Sequence, residues 1–305
     1  MKRNRINRTG INGRKGMIAL LVFVLLCSLV PVDESGIKPD TWFMVVSDVH
    51  TSNDRSKMDK MANLVMEINN GAYGQVDFLV ITGDCVSSFL ESRERDHGDP
   101  ANNRVLKLLK VLEPLEKPFY LVMGNHEYKI DRDKDSDEPF TQAEIDTIEA
   151  MWKRYTGTEP YYSFRESGVK YVLLNSMRGK PQKRRFDEKQ LEWLRDELSS
   201  DGPVILFFHH PVKTDHFRIW AHKRDMVNKQ TEPEFMKLCE ENRENIRGIF
   251  VGHGHFWVKD RLYKEIPVFE TASFGDKLEV IGYLVGLNSS EKEIVETKRI
   301  ILKEK

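Results

Sequence analysis

The sequence predicts an α/β domain with two β-sheets, and three observations support it. From Thr41 to Val251, apolar runs of strand length alternate with segments whose apolar residues recur at helical period. Beyond Val258 the strand-like stretches follow one another without a helix between them. No internal repeat or low-complexity tract interrupts this order. The alternation implies right-handed βαβ crossovers and a largely parallel sheet, and the last stretches imply an antiparallel finish.

Taken in order, Thr41 to Val46 (Thr-Trp-Phe-Met-Val-Val) reads as a buried strand. Arg55 to Asn69 is a helix by the spacing of Met58, Met61, Leu64, Val65 and Ile68. Asp77 to Thr82 is a second strand, Arg104 to Leu115 a helix, and Pro118 to Met123 a third strand ending at Gly124. Thr141 to Tyr155 is helical, with Thr141 as N-cap and Glu144 as its capping-box partner. Tyr161 to Arg165 and Val169 to Leu174 pair around Ser167-Gly168, and Asp187 to Leu198 is an amphipathic helix. Pro203 to Phe208 and Ile246 to Val251 are strands separated by a helix near Glu232 to Asn245. Val258 to Tyr263, Pro267 to Thr271, Val280 to Leu287 and Ile294 to Leu302 complete the antiparallel part. Ser88 to Pro100, Tyr128 to Pro139 and Lys213 to Thr231 are polar and charged, and read as loops that either select substrate or are simply solvated.

A chain of 305 residues with 40% hydrophobic and 10% aromatic residues can fill a core. The net charge of −1 conceals an asymmetry. Lys2, Arg3, Arg5, Arg8, Arg14 and Lys15 stand in the first sixteen residues without an acid, leaving 41 basic against 48 acidic residues in the remainder. A mildly acidic body argues against a broad nucleic-acid surface. The basic residues precede an apolar run, Met17 to Val32, and then polar Asp33-Glu34-Ser35-Gly36. That order predicts a secretory signal or signal anchor over residues 1–36, a domain over 37–305, and a site outside the cytoplasm or at the membrane. The run is shorter than a comfortable span of about 20 residues, and Leu26 before Cys27 does not suit a lipidation signal. Cys27, Cys85 and Cys239 are the only cysteines, so no disulfide framework is expected.

Seven residues at the ends of these strands carry metal-ligand chemistry. Asp48 and His50 stand in Ser47-Asp48-Val49-His50, Asp84 in Thr82-Gly83-Asp84, and Asn125 in Gly124-Asn125-His126-Glu127. His209 stands in Phe208-His209-His210-Pro211, and His253 and His255 in Gly252-His253-Gly254-His255. Residues i and i+2 of an extended chain face the same side, so each Asp-x-His or His-x-His pair can reach one ion. Gly83 and Gly124 let the backbone turn sharply before Asp84 and Asn125. Seven ligands are more than one ion needs, so the set predicts a dinuclear site at one sheet edge. Nitrogen and oxygen donors without a thiolate suit Mn, Fe, Zn, Co or Ni.

The order Asp-x-His, Gly-Asp, Gly-Asn-His-Glu, His-x-Pro, Gly-His-x-His resembles the calcineurin-like metallophosphoesterase superfamily over about Phe43 to Phe274. Tyr161-Tyr162-Ser163-Phe164 and Gln190-Leu191-Glu192-Trp193-Leu194 are similar to its connecting segments. The resemblance implies a four-layer α/β/β/α sandwich and two divalent metal ions. By its pattern Asp48, His50, Asp84 and His255 hold the first ion, while a bridging Asp84 with Asn125, His209 and His253 holds the second. It further implies hydrolysis of a small phosphorylated substrate, a phosphodiester or phosphomonoester, by a metal-bridging hydroxide. His126 is the implied proton donor to the leaving oxygen. Glu127 is expected to support the site structurally, and His210 to face either substrate or core.

Departures from the pattern narrow the expectation. Thr51 follows His50, and Ser87-Ser88-Phe89 replaces the Asp-Arg-Gly of protein phosphatases. Ser87 also stands where purple acid phosphatases place an iron-binding tyrosine. At this length there is no room for the extra domain of nucleotidase relatives. What remains is similar to small single-domain phosphoesterases. Two other readings stay open: a catalytically silent metal-binding scaffold of the same fold, and a nuclease. Arg218, Trp220 and Arg224 are candidates to grip substrate, with solvated loop residues as the alternative; His97, His216 and His222 also lie in polar loops.

Overall fold

A computed structural model of the chain describes residues 37–130, 141–177, 186–200, 202–216, 232–276 and 280–302. The leader 1–36 lies outside them, as do residues 131–139 and 217–231 of two expected loops, with Arg218, Trp220, His222 and Arg224. From Lys38 onward the described residues form one compact unit. None of their helices is long and apolar enough to cross a membrane.

The strands are β1 (Thr41–Val46), β2 (Phe78–Ile81), β3 (Phe119–Leu121), β4 (Tyr162–Glu166), β5 (Val169–Leu173) and β6 (Val204–Phe207). They continue with β7 (Ile246–Val251), β8 (Val258–Leu262), β9 (Ile266–Glu270), β10 (Val280–Asn288) and β11 (Glu293–Ile301). The helices are α1 (Arg55–Asn69), α2 (Arg104–Leu112), α3 (Gln142–Thr156), α4 (Glu188–Ser199) and α5 (Glu232–Glu241). One sheet runs β11-β10-β1-β2-β3 and the other β4-β5-β6-β7-β9-β8. The antiparallel finish is therefore divided. Strands β10 and β11 return to the first sheet beside β1, while β9 joins the second sheet parallel to β7 and antiparallel to β8.

Side-chain alternation builds the layers. Phe43 and Val45 of β1, Phe78 and Val80 of β2, Tyr171 of β5, Phe207 of β6 and Phe250 of β7 meet between the sheets. Phe43 stacks on Phe78 at 5.1 Å and meets Tyr171 edge-on at 5.7 Å, spacings at which aromatic pairs add to simple burial. The intervening residues Met44, Val46, Leu79 and Ile81 face α1, α2 and α3. On the other side Val172, Leu206, Ile249 and Val251 face α4 and α5. Both faces of the central strands are buried, which is why they read as unbroken apolar runs. The result is the expected four-layer α/β/β/α sandwich.

The predicted caps and connectors do identifiable work. Thr141 Oγ1 accepts from the Glu144 N–H and Glu144 Oε2 accepts from the Thr141 N–H, closing the capping box of α3. Tyr162 ties the sheets together, its hydroxyl bonding the N–H and the carbonyl of Leu121 at 3.1 Å each. Gln190, fully buried on α4, accepts from Asn175 N at 2.7 Å and donates to Asn175 O at 2.9 Å. Two loop expectations need correction: Ser88, Phe89 and Leu90 in one loop, and Tyr128 and Ile130 in the next, are buried rather than solvated. Phe89 N and Leu90 N donate to Lys129 O and Ile130 O at 2.6 and 3.1 Å, binding the loop after β2 to the one after β3.

Candidate metal centre

The predicted ligands leave the C-terminal ends of five strands. Asp48 and His50 follow β1, Asp84 follows β2, Asn125 follows β3, His209 follows β6, and His253 and His255 follow β7. These strands belong to both sheets. The site thus lies where two sheet edges meet, not on one edge as the sequence suggested. Sheet spacing brings the two rows of loops within reach of each other.

The local backbone also differs from the expectation of extended pairs. Asp48, His50, Asp84, His253 and His255 have φ of 54°, 49°, 47°, 71° and 59°, in the left-handed region. Such residues persist only where their surroundings hold them, and they concentrate at functional sites. Here the hold is visible. Asp48 N donates to Gly83 O at 3.1 Å, His50 N to Asp84 O at 2.9 Å, and His253 N to Asp48 Oδ2 at 3.0 Å. Gly83 uses the torsional freedom foreseen for it, with φ of 90°. Gly124 has no positive φ, and its role is space: a Cβ there would strike Asp84 Oδ1 and lie 2.8 Å from His209 Cδ2.

The donor atoms converge. Asp48 Oδ1 lies 3.2 Å from His255 Nε2, 3.7 Å from His50 Nε2 and 3.9 Å from His209 Nε2. Asp84 Oδ2 lies 3.2 Å from His209 Nε2 and 3.8 Å from His126 Nε2. Asp48, His50 and His255 offer donor atoms within 4.8 Å of one another, as do Asp48, Asp84 and His209, and also His209, His210 and His253. Asn125 joins through His210, whose Nε2 is 3.2 Å from Asn125 Oδ1.

The electrostatics favour a cation. Burial opposes ionisation of Asp84, yet His209 and His126 hold its carboxyl well below the usual carboxylate range. Burial also works against charge on His209, but Asp84 and Asp48 push it up to about 9. Burial pushes His50 down to about 4 against the pull of both carboxylates, leaving a neutral imidazole with a lone pair to give. Two buried atoms, Asp48 Oδ1 and His209 Nε2, make no hydrogen bond of good geometry and have only ion-pair neighbours, His255 Nε2 and Asp84 Oδ2, at 3.2 Å. Unsatisfied buried polar atoms call for an explanation, and a divalent ion coordinated by oxygen and imidazole nitrogen supplies one. The donor set present fits such an ion.

Around this set, His126 points Nδ1 at Ser87 O at 2.7 Å and its N–H donates to Asp84 Oδ1 at 2.8 Å. Glu127 is fully buried and accepts from three backbone N–H groups, those of Gly124 at 2.5 Å, Val86 at 3.1 Å and Asp84 at 3.2 Å. It clamps the turn that carries Asp84 to the turn that carries Asn125. His210 faces inward: Ser176 Oγ accepts its N–H at 3.1 Å and lies 2.7 Å from its Nδ1, leaving Nε2 toward Asn125. His216 is largely exposed, with Nδ1 2.9 Å from Asp260 Oδ1, and His97 contacts Arg93 O at 3.2 Å; neither joins the centre. Glu270 was not foreseen. It is buried beneath Gly254, and burial followed by the Asp48 charge pushes it up to about 8. It ends β9 as an ordinary acid in an apolar stretch, and only the pairing of β9 with β7 brings it under the histidine loop.

Comparisons with known proteins bear on the family and the fold. The family model described as calcineurin-like phosphoesterase matches residues 41–256. No curated protein matches the chain in sequence. Among solved structures, a dimetal phosphatase from Danio rerio is 14% identical with a TM-score of 0.61, the alignment covering 87% of this chain and all of that one. A purple acid phosphatase from yellow lupin is 11% identical with a TM-score of 0.53, covering 86% of this chain and 53% of that one. A 5'-nucleotidase from Candida albicans is 13% identical with a TM-score of 0.52, covering 87% and 52%. These likenesses are of fold. The family match over most of the chain, the sandwich, and the ligand motifs at the strand ends agree: this chain belongs to the calcineurin-like phosphoesterase family.

Proposed function

We propose that the protein is a hydrolase of phosphate esters working at a dinuclear metal centre. Asp48, His50, Asp84 and His255 would hold one divalent ion, and Asp84, Asn125, His209 and His253 the other. The observation that carries this reading is the convergence of two carboxylates and their imidazoles on the unbonded atoms Asp48 Oδ1 and His209 Nε2. Bound there, divalent ions supply Lewis acidity toward phosphoryl oxygens and a nucleophilic water at neutral pH.

The chain's own residues supply the rest. Glu127 and the left-handed turns fix the ligands before substrate arrives, which spares reorganisation during reaction. His126 serves as proton donor. Its Nδ1 is engaged by Ser87 O, so Nε2 is the atom presented beside Asp84. As the phosphorus–oxygen bond breaks, its electron pair stays on the departing oxygen, which would take the Nε2 proton of His126 in its imidazolium form, leaving a neutral ring whose Nδ1–H stays on Ser87 O. Lys129 Nζ, 3.4 Å from that Nε2, adds positive charge where the leaving oxygen gains negative charge.

Turnover of bis-(p-nitrophenyl) phosphate and of p-nitrophenyl phosphate with added Mn tests this reading. We expect cleavage of at least one ester, abolished by Asp84→Asn. Failure of both esters under every divalent metal, with metal still bound, would instead support a silent scaffold of the same fold. The acidic body disfavours a nuclease, and cleavage of DNA or RNA alone would reverse that judgement.

The basic-then-apolar order of Lys2 to Val32 supports export or membrane tethering of this activity. Cell fractionation checks it: recovery of the full-length chain in the cytosol would contradict it.

A further inference from the structure

The segment after β9 carries a carboxylate that the ligand motifs do not include. Phe274 N donates to Ser47 O at 2.8 Å and Gly275 N to Asp48 O at 2.9 Å, while Ser273 Oγ donates to Asp48 O at 3.0 Å. The approach is close enough that a Cβ on Gly275 would lie 2.8 Å from Val49 O. Lys60 on α1 holds the same turn from outside, donating to Phe274 O at 2.7 Å and Asp276 O at 2.9 Å. The turn so docked sets Asp276 Oδ2 3.2 Å from His255 Nδ1. The other nitrogen of that ring, Nε2, lies 3.2 Å from Asp48 Oδ1. His255 therefore spans two carboxylates, one inside the centre and one at its rim.

We propose that Asp276 is a positioning residue for the metal centre: its carboxylate accepts the Nδ1–H of His255, fixing the tautomer whose Nε2 lone pair faces Asp48. A histidine that ligates a metal nearly always gives its other N–H to such an acceptor, and losing the acceptor typically costs about 10–100-fold in metal affinity. The inference rests on the metal-centre reading above. Lys60 supports it by holding the backbone of Asp276 in place, linking α1 to the ligand loop.

The test is metal binding rather than turnover. Titration calorimetry with Zn²⁺ alone is applied to the unaltered protein, Asp276→Ala, Asp276→Asn and Asp276→Glu. The His255 tautomer is read from ¹⁵N shifts of the zinc-loaded protein. We expect Asp276→Ala to weaken one of two zinc ions by about 10–100-fold and leave the other unchanged. Asp276→Glu should restore part of the loss, and His255 should carry its proton on Nδ1 in the unaltered protein. Asp276 is half-exposed, so the melting temperature of the metal-free protein should stay the same. If Asp276→Ala lowers that temperature, Asp276→Asn and Asp276→Glu, which both keep an oxygen able to accept the Nδ1–H, decide the matter by recovering affinity. Wild-type affinity for both ions in Asp276→Ala, or a proton on His255 Nε2, overturns the inference. Failure of the unaltered protein to bind zinc would overturn the metal-centre reading itself, and this inference with it.

Discussion

Asp48 Oδ1 and His209 Nε2 lie 3.9 Å apart in the buried interior, and neither makes a hydrogen bond. One follows β1 and the other β6, so the pair joins the two sheets of the sandwich at the point where their C-terminal edges meet. Each has an ion-pair neighbour instead, Asp84 Oδ2 beside His209 Nε2 and His255 Nε2 beside Asp48 Oδ1, both at 3.2 Å. A cation bound between them would take the place of the protons in those pairs and would tie the two sheets together at this point.

Metal uptake should release protons. Below about 9 the metal-free His209 carries an extra proton, held there by Asp84 and Asp48 against the effect of burial. An ion needs the same nitrogen's lone pair. Affinity should therefore rise with pH, about tenfold per unit if one proton is displaced, and level off above about 9. A pH indicator in weakly buffered solution measures the protons released at pH 7; none released would contradict the assignment.

His126→Ala should lower kcat by about 10²–10⁴ while leaving metal content unchanged. The loss should be larger for an alkyl ester than for a p-nitrophenyl ester, because the weaker leaving group depends more on the donated proton. Equal losses for both esters would remove His126 from that role.

Gly124→Ala should damage the centre more than the fold. A Cβ at this position meets Asp84 and His209, not the hydrophobic core. Displacing reacting groups by about 1 Å can cost roughly 10²-fold in rate. We expect kcat to fall by about that factor, with urea unfolding of the metal-free protein little changed.

Gln190→Leu should destabilise the domain by about 1–3 kcal/mol, since it leaves the buried N–H and carbonyl of Asn175 without partners. Urea denaturation measures this. An effect below about 0.5 kcal/mol would show that water replaces the lost partners.

Much of the architecture was legible because its signals are local. Strand β1 and helix α1 have the limits their apolar spacing gave, and Thr141 with Glu144 closes the capping box their spacing implied. The short motifs after the strands likewise pointed to Asp48, His50, Asp84, His209, His253 and His255, which the structure brings into clusters of donor atoms. Long-range arrangement was not. Nothing in Pro267 to Thr271 reveals that β9 lies parallel to β7, so Glu270 went unnoticed beneath Gly254. The left-handed torsions of Asp48 and His50 were hidden too, because non-glycine residues adopt them only when neighbouring loops hold them there. Phe89 and Leu90 looked like part of a polar loop because their partners, Lys129 and Ile130, lie in another loop that reads as solvated.

In the proposed centre Asp84 would be shared by two ions at the junction of the sheets. Equilibrium dialysis against Mn²⁺, with bound metal counted per chain, tests it most directly. We expect two ions per chain in the unaltered protein and one or none in Asp84→Ala. One ion or none in the unaltered protein, or two held equally well by Asp84→Ala, would contradict it.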